Sequence, residues 1–567
     1  MSDLLNSASL VMIPSGYKED VVYSAVPTDG SGDLSFTRAS NGTRVNSAGL
    51  VEVTPWNLLE QSETFDNAYW QKANVTVSAN ATTAPNGTAT ADKIISSAVN
   101  DEHLIYYFES TYFNQVVTLS AYVKKADYRY AIIRSYTNGN YQISVFDLNN
   151  GVVEGQVLGA STIESVGNGW YRISTTFTTP AGTFGVQYGF SATPTYSYLG
   201  DGTSGNFLWG AQLNIGSTAK PYFPTTDRLN VPRLTYQNGG GGCPSLLLEK
   251  QSTKLLLQSE DFTFTSGIWL SANGGGTASV SVTANYGVSP DGTQNADRIQ
   301  LNKGNTGYAE IYQLFSTTIS STYTQTLWLK SLSGTPKINF GYTGTTRGTI
   351  TLTTEWQRYE FTYNSGGNPN GLALTLFDGF DPSTAQSIDV LAWGAQAEQS
   401  SYPTTYIPTT SASATRVADE CKKSGIGALI GGTSGTVFFD IKTNPTLSSA
   451  NYKQFCYYIN SGASQSYMFL DGVNKIQTNV NWGNLLYNTA FQPNTRYKVA
   501  LVFAPNDFAL YINGVSVATA SSGTPNNNVD IQIGQFNGTE MCEFVFNQYT
   551  HFPSRLTNAE LASLTTI

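Results

Sequence analysis

Sugar recognition needs a flat aromatic ring against the C–H face of a pyranose, with amides or carboxylates to meet its hydroxyls. One stretch of this 567-residue chain offers both: NVNWGNLLYN at 479–488 carries Asn479, Asn481, Trp482, Asn484 and Tyr487. A second stretch, FDGFDPSTAQSID at 377–389, gathers Asp378, Asp381 and Asp389 near glycines. Carboxylate oxygens so grouped are the ligands a structural Ca²⁺ takes. The competing reading is a turn whose aspartates cap their own backbone. No other cofactor is expected.

Catalysis finds less support. Glycoside hydrolysis needs two carboxyl groups about 5–10 Å apart. The nearest acidic pair, Glu540 and Glu543, is spaced so that a strand would turn the two to opposite faces. His103 and His551 fall in different parts of the chain with no metal-ligand or nucleophile context. The glycine run at 239–242 lacks the Lys-Ser/Thr that a phosphate loop requires. No catalytic residue is assigned, and the chain reads as a binding or structural protein.

Bulk properties narrow the partners. Net charge is −10, charged residues are 12% and hydrophobic residues 40%. Lys and Arg never cluster beyond a pair, which excludes binding to nucleic acid or an anionic membrane through a basic patch. Cys243, Cys421, Cys456 and Cys542 show no CxxC spacing, so free thiols are expected, with a Cys456–Cys542 bridge as the alternative. No apolar run approaches the length of a membrane span, and no basic-then-apolar start marks a secretion signal.

These residues must be positioned by something, and the chain repeats itself. NLLEQSETF at 57–65 matches LLLQSEDF at 255–262, and APNGTATADKI at 84–94 matches SPDGTQNADRI at 289–299. WGAQ recurs at Trp209 and Trp393, each followed by a Tyr (Tyr222, Tyr406) and a Pro-Thr-Thr. Landmarks in the same order identify a duplication. Within each copy apolar residues alternate with period two between frequent turn signals, the pattern of an antiparallel sandwich. Trp170, Trp209, Trp356 and Trp393 read as core or seam aromatics, with a sugar-stacking platform as the sharper alternative. Asp92 and Asp297 read as turn anchors.

The expected organisation is all-β: an N-terminal attachment segment (1–56), a first jelly roll (57–227), a Gly-rich linker (228–254), a second jelly roll (255–410), a linker (411–434) and a C-terminal sandwich (435–567). In the last, Asn513-Gly514 between two alternating runs predicts a type I′ hairpin. Thr557 and Glu560 predict a capping box on a short terminal helix.

The hairpin phrase LYINGV and the terminal RLTNAEL resemble concanavalin-like (laminin-G-like) lectin sandwiches. The PSGYKED…RVNSAGLVEV phrase, VPRLTYQNGGGGCPSLLLEKQ and the WGAQ…PTT closures resemble tailed-bacteriophage fibre or spike proteins, in which jelly rolls similar to carbohydrate-binding modules are strung together. The resemblance implies a virion-surface appendage of the head or tail, made in the host cytoplasm. It also implies attachment to other virion proteins through residues 1–56, a host-cell glycan as target and a homotrimer. A polysaccharide depolymerase and a capsid spacer that binds no glycan are the rivals.

Overall fold

The computed structural model describes residues 2–567 except 111–114, 138–139, 181, 237–239, 306, 343–346, 368, 444–455, 461–464, 471–475, 480–484, 488, 490, 493, 526, 537–539 and 542–543. For 2–3, 137, 342, 456–460, 465–470, 476–479, 486–487, 535–536 and 540–541 it describes the backbone alone. The fold is all-β, as the composition predicts. The helices among the described residues are short: Ser2–Leu5, Gly427–Ile430 and Asn558–Thr565. The chain divides into two compact units, one of Thr54–Leu229 and one of Met1–Val53 with Asn230–Ile567.

The first unit is the first jelly roll. One six-stranded sheet runs Ala160–Gly167, Trp170–Thr178, Val116–Lys124, Gly205–Ile215, Ala91–Ser96, Val75–Thr82. The other runs Val152–Gln156, Asn140–Asp147, Tyr130–Thr137, Phe184–Ser191, Leu104–Glu109, Gln71–Ala73. Alternation sets the core: Leu119, Val123, Ile173, Leu208 and Leu213 from one sheet meet Ile133, Phe146, Phe184, Val186 and Tyr188 from the other. Each side chain so buried contributes about 1.5–3 kcal/mol.

The repeated phrases close the sandwich in both copies. At the WGAQ glycine the strand register shifts opposite Ser120–Tyr122 in the first copy and Thr326–Trp328 in the second. Gly210 has φ +62° and Gly394 φ +68°, a left-handed bulge that a Cβ would strain. A Cβ would also stand 2.9 Å from Tyr122 or 2.8 Å from Trp328. The next N–H, of Ala211 or Ala395, then donates to Ser62 or Ser259 carbonyl, 2.9 Å in both. Gln212 accepts from Phe223 N–H (3.0 Å), and Gln396 accepts from Ile407 N–H (2.9 Å), which fastens the Pro-Thr-Thr tail. Tyr222 hydroxyl reaches Glu63 at 3.0 Å and Tyr406 hydroxyl reaches Glu260 at 2.8 Å. Asp92 accepts from Phe65 and Asn80 N–H, and Asp297 from Phe262 and Asn285 N–H, at 2.8–2.9 Å. Trp170, Trp209 and Trp393 are buried, and half-buried Trp356 donates to Val288 carbonyl at 3.0 Å. The repeated residues are structural, as the core-and-anchor reading expects.

The second unit holds the second jelly roll and the C-terminal sandwich. The jelly roll has sheets Ser279–Gly287, Ala296–Asn302, Ser387–Glu398, Thr322–Ser331, Gln357–Asn364 and Leu270–Gly274, Tyr308–Phe315, Asn370–Phe377, Lys337–Tyr342, Gly348–Thr351. In the C-terminal sandwich, Gly435–Lys442 lies between Arg496–Ala504 and Phe544–Phe552. Asn513 and Gly514 take the positive φ of the predicted hairpin, 49° and 85°. The terminal helix carries the predicted capping box.

Here the segment boundaries drawn from the sequence are corrected. Residues 1–53, 230–254 and 411–434 lie in the unit of the C-terminal sandwich and supply several of its strands. Leu10–Met12 and Ser245–Leu248 pair with Phe544–Phe552, and Arg233–Thr235 pairs with Ser245–Leu248 around the glycine run. Leu34–Thr37 pairs with Glu420–Lys423, which pairs with Asp530–Ile533. Leu10, Met12, Val22, Leu34 and Phe36 enter the same core as Val437, Leu501 and Phe546. The physical reason is that each piece carries one apolar face too short to bury itself, and a remote strand supplies the partner.

A buried charge cluster ties these strands together. Arg38, Arg233, Arg416, Glu249 and Asp419 are all within 4% of full burial. Arg38 meets Asp419 at 2.9 Å, Arg233 meets Glu249 at 2.6 Å and also Asp419, and Arg416 meets Glu249 at 3.4 Å. Burial works against ionising Glu249, but Arg416 and Arg233 overcome it and hold the carboxyl down at about 2. Removing one member of such a buried set costs about 3–5 kcal/mol.

Candidate functional site: an aromatic face on the first jelly roll

The residues singled out by sequence do not converge. Asn481, Trp482 and Asn484 lie outside the described residues. Asn479 and Tyr487 sit on short strands, Asn479 paired with Tyr467 and Tyr487 with Ile476. The three aspartates of the calcium expectation do not meet as one ligand group. Asp378 is in an ion pair with Lys303, and Asp389 grips Arg298, whose Nε donates at 2.7 Å. Asp381 accepts from Ser383 N–H at 2.8 Å and Thr349 hydroxyl at 2.7 Å. Hydrogen bonds from Ser383 and Thr349 hold its carboxyl down at about 2. Each carboxylate is spent on its own partner, and no metal-ligating cluster occurs among the described residues.

His103 is buried with carbonyl oxygens of Asn74 and Tyr198 at 2.8 and 3.0 Å. His551 is buried with no hydrogen-bond partner. Cys421 is buried and Cys243 exposed, both free, and Cys542 lies outside the described residues. Glu543 also lies outside them.

The first jelly roll builds a different surface, on the sheet away from the WGAQ strand. YAIIRSYT alternates so that Ala131 and Ile133 enter the core while Arg134 and Tyr136 face outward. In LIYYFE, Ile105 enters the core while Tyr106 and Phe108 meet edge to face at 5.4 Å on the outer side. Between them FGVQYGFS places Gly185 opposite Phe108 and Gln187 opposite Tyr106. A Cβ at Gly185 would press on the Gln187 amide lying across it, so a larger residue there would displace that side chain.

Arg134 is the centre of the face. Its Nε donates to Gln187 Oε1, and Nη1 and Nη2 donate to the two oxygens of Glu102, 2.9 Å each. The guanidinium lies 4.0 Å from the ring of Tyr141 and 4.4 Å from that of Tyr196. Bidentate pairing and cation–π contact of this kind fix the rings without needing a packed core above them. Tyr136 and Tyr141 stand 4.9 Å apart. Tyr141 is 46% exposed and Phe108 38%, large apolar rings held rigid yet open to solvent. The arrangement can stack planar apolar faces and offer amides and hydroxyls beside them.

Sequence reading missed Arg134, Tyr141, Tyr196, Glu102, Phe108 and Tyr106, because none lies in a repeated phrase. The signal was present in the strand YAIIRSYT, whose alternate positions Tyr130, Ile132, Arg134 and Tyr136 put an arginine and two tyrosines on the side away from the core.

No family model matches the chain, and no curated protein matches it. Among solved structures, the CBM22 tandem domain of Paenibacillus barcinonensis Xyn10C is similar at 14% identity over 61% of this chain and 98% of that one, TM-score 0.20. Laminin α1 domains LG4-5 of mouse align at 12% identity over 43% of this chain and 87% of that one, TM-score 0.17. Trypanosoma rangeli sialidase aligns at 10% identity over 94% of this chain and 91% of that one, TM-score 0.20. Likeness of this strength says nothing of what this chain binds.

Proposed function

We propose that the protein is a non-enzymatic glycan-adhesion protein whose first jelly roll presents the binding face. The observation that carries this reading is the solvent-open aromatic face on this sheet, with Tyr141 set over Arg134 and Phe108 against Tyr106, both rings exposed. Exposed rings pinned by buried polar contacts are costly on a surface with no partner. Flat apolar rings beside amides suit a sugar, which has a C–H face and a rim of hydroxyls. The resemblance of the linker and closure phrases supports the wider setting: a fibre or spike on the virion surface of a tailed phage, trimeric, directed at a host-cell glycan. Attachment through residues 1–56 then works from a segment built into the C-terminal sandwich. Several weak sites on one particle raise apparent affinity by about 10²–10⁴ when they engage together.

The test is binding of the full-length protein to immobilised bacterial polysaccharides, wild type against the Tyr141→Ala/Phe108→Ala double variant. Each ring lost costs about 1–2 kcal/mol, so affinity should fall roughly 30- to 1000-fold. Undiminished binding by the variant removes this face from the reading. Release of new reducing ends by the wild type overturns the non-enzymatic assignment.

A further inference from the structure

Resting on the reading that the Tyr141 face binds glycan, we infer that its ligand is an uncharged glycan, and that the face discriminates against uronates, sialates and sulfated sugars. The reason lies in how its charges are spent. Arg134 has three N–H groups engaged by Glu102 and Gln187, and the rings of Tyr141 and Tyr196 lie close to the guanidinium. Its side chain is 4% exposed, whereas that of Glu102 is 35% exposed, so the carboxylate is the member of the pair that meets solvent. Asp101, exposed beside it, adds a second negative charge and accepts the Glu102 N–H at 2.8 Å.

The other guanidinium on this sheet, Arg129, sits by Tyr130, six residues along the strand from Tyr136, about 20 Å away. It is paired with Asp147 at 2.6 Å. An acidic sugar stacked on Tyr141 would therefore approach carboxylates, while among the described residues of this sheet the cations are committed, Arg134 and Arg129 to carboxylates and Lys72 to the carbonyls of Asp66 and Asn67. At separations of about 6 Å near a surface, such like-charge contact is worth on the order of 1–2 kcal/mol, and salt screens it. The polar groups that remain are the Gln187 amide and the tyrosine hydroxyls, donors and acceptors matched to neutral hydroxyls. Arg134 is thus a scaffold for the rings and not an anion receptor.

The experiment uses the full-length protein on neutral β-glucan, mannan and galactan polymers and the same polymers oxidised at C6 to uronates, at low and at high salt. The parent polymers of at least one pair should bind, with affinity unchanged between about 20 mM and about 500 mM salt. Oxidation should weaken that binding at least about 5-fold at low salt, and the gap should narrow at high salt. In Glu102→Gln the ratio between oxidised and parent polymer should move toward one. Stronger binding of an oxidised polymer than of its parent, falling with salt, overturns this inference while leaving the glycan-binding reading in place. Binding to no polymer of either set overturns both.

Discussion

The two jelly rolls share their closures residue by residue and differ on their faces. Ser62, Glu63, Asp92, Gln212 and Tyr222 make the same bonds in the first copy as Ser259, Glu260, Asp297, Gln396 and Tyr406 in the second. On the outward sheet both copies set an arginine against a glutamate under an aromatic ring, but from different positions and with different neighbours. Where the first copy has Arg134 between Tyr141 and Tyr196, the second brings in Arg347 to hold Glu310 at 3.0 Å, with Phe380 over it at 4.5 Å. Asn339, outward-facing between Ile338 and Phe340 of the core, is as buried as Gln187 and Arg134 of the first face. What persists through duplication is whatever closes the sandwich. What diverges is the surface free to meet something else, and that is where specificity is sought.

The sharpest way to break this comparison is to damage the same closing glycine in each copy. Gly210→Ala and Gly394→Ala each force a Cβ onto a left-handed residue and against an aromatic ring under 3 Å away. Strain and overpacking together should cost about 2–4 kcal/mol in either copy. Chemical denaturation followed by hydrogen exchange should place the loss in Thr54–Leu229 for the first variant and in the other unit for the second. A loss in one copy and none in the other would mean that the two closures are not equivalent.

That equivalence was legible in the sequence, and the reasons are local. WGAQ, the Pro-Asx-Gly turns and the Ala-Asp pair are contiguous, and their partners recur at fixed offsets. The Asn513-Gly514 hairpin and the Thr557 cap were legible for the same reason. The junction was not. Arg38, Arg233, Glu249, Arg416 and Asp419 come from three segments, each of which looks like exposed linker until a remote strand covers it. The binding face escaped because its members lie on separate strands, with Glu102, Arg134, Gln187 and Tyr196 brought together only by the sheet. The Asp378–Asp389 loop misled because aspartate near glycine marks a capped turn as well as a metal loop, and only the partners Lys303, Thr349 and Arg298 decide.

Buried histidines extend the comparison between the two units. His103 in the first has carbonyl partners, while His551 in the second has none, and burial pushes its imidazole down to about 4. The ring stays neutral in the fold, whereas the unfolded chain takes a proton near the ordinary 6.5. Between these values the unfolded chain binds more protons, so stability is present above about pH 6.5 and is lost as pH falls toward 4. Glu260 and Asp297 run the other way: burial raises them to about 7 and about 6, so their contribution is lost as pH rises. Comparing wild type with His551→Leu isolates the first effect. Urea unfolding at pH 7 and pH 4.5 should show the wild type losing on the order of 2–3 kcal/mol relative to the variant. A difference independent of pH would mean that the ring is already hydrated or paired.

The smallest expected effect comes from a closure position where the copies disagree. Lys254 stands where the first copy has Asn57, four residues before Gln258 and Gln61. Asn57 donates to the carbonyls of Ala211 and Phe223, 3.0 Å each. Lys254 is fully buried, its Nζ lies 4.5 Å over the Tyr406 ring, and it has no hydrogen-bond partner. Burial drives its ammonium well below the ordinary lysine range, and its Nζ is left without a hydrogen bond. Lys254→Asn restores the first copy's residue opposite the equivalent carbonyls of Ala395 and Ile407. It exchanges an unsatisfied donor for two bonds at the cost of some buried methylene, a net gain of about 1 kcal/mol. The reverse change, Asn57→Lys, strands an amine and two carbonyls and should cost more than the first change gains. Thermal melts of the two variants test the pair. If Lys254→Asn destabilises while Asn57→Lys does not, Lys254 belongs to its surroundings in a way the first copy does not predict.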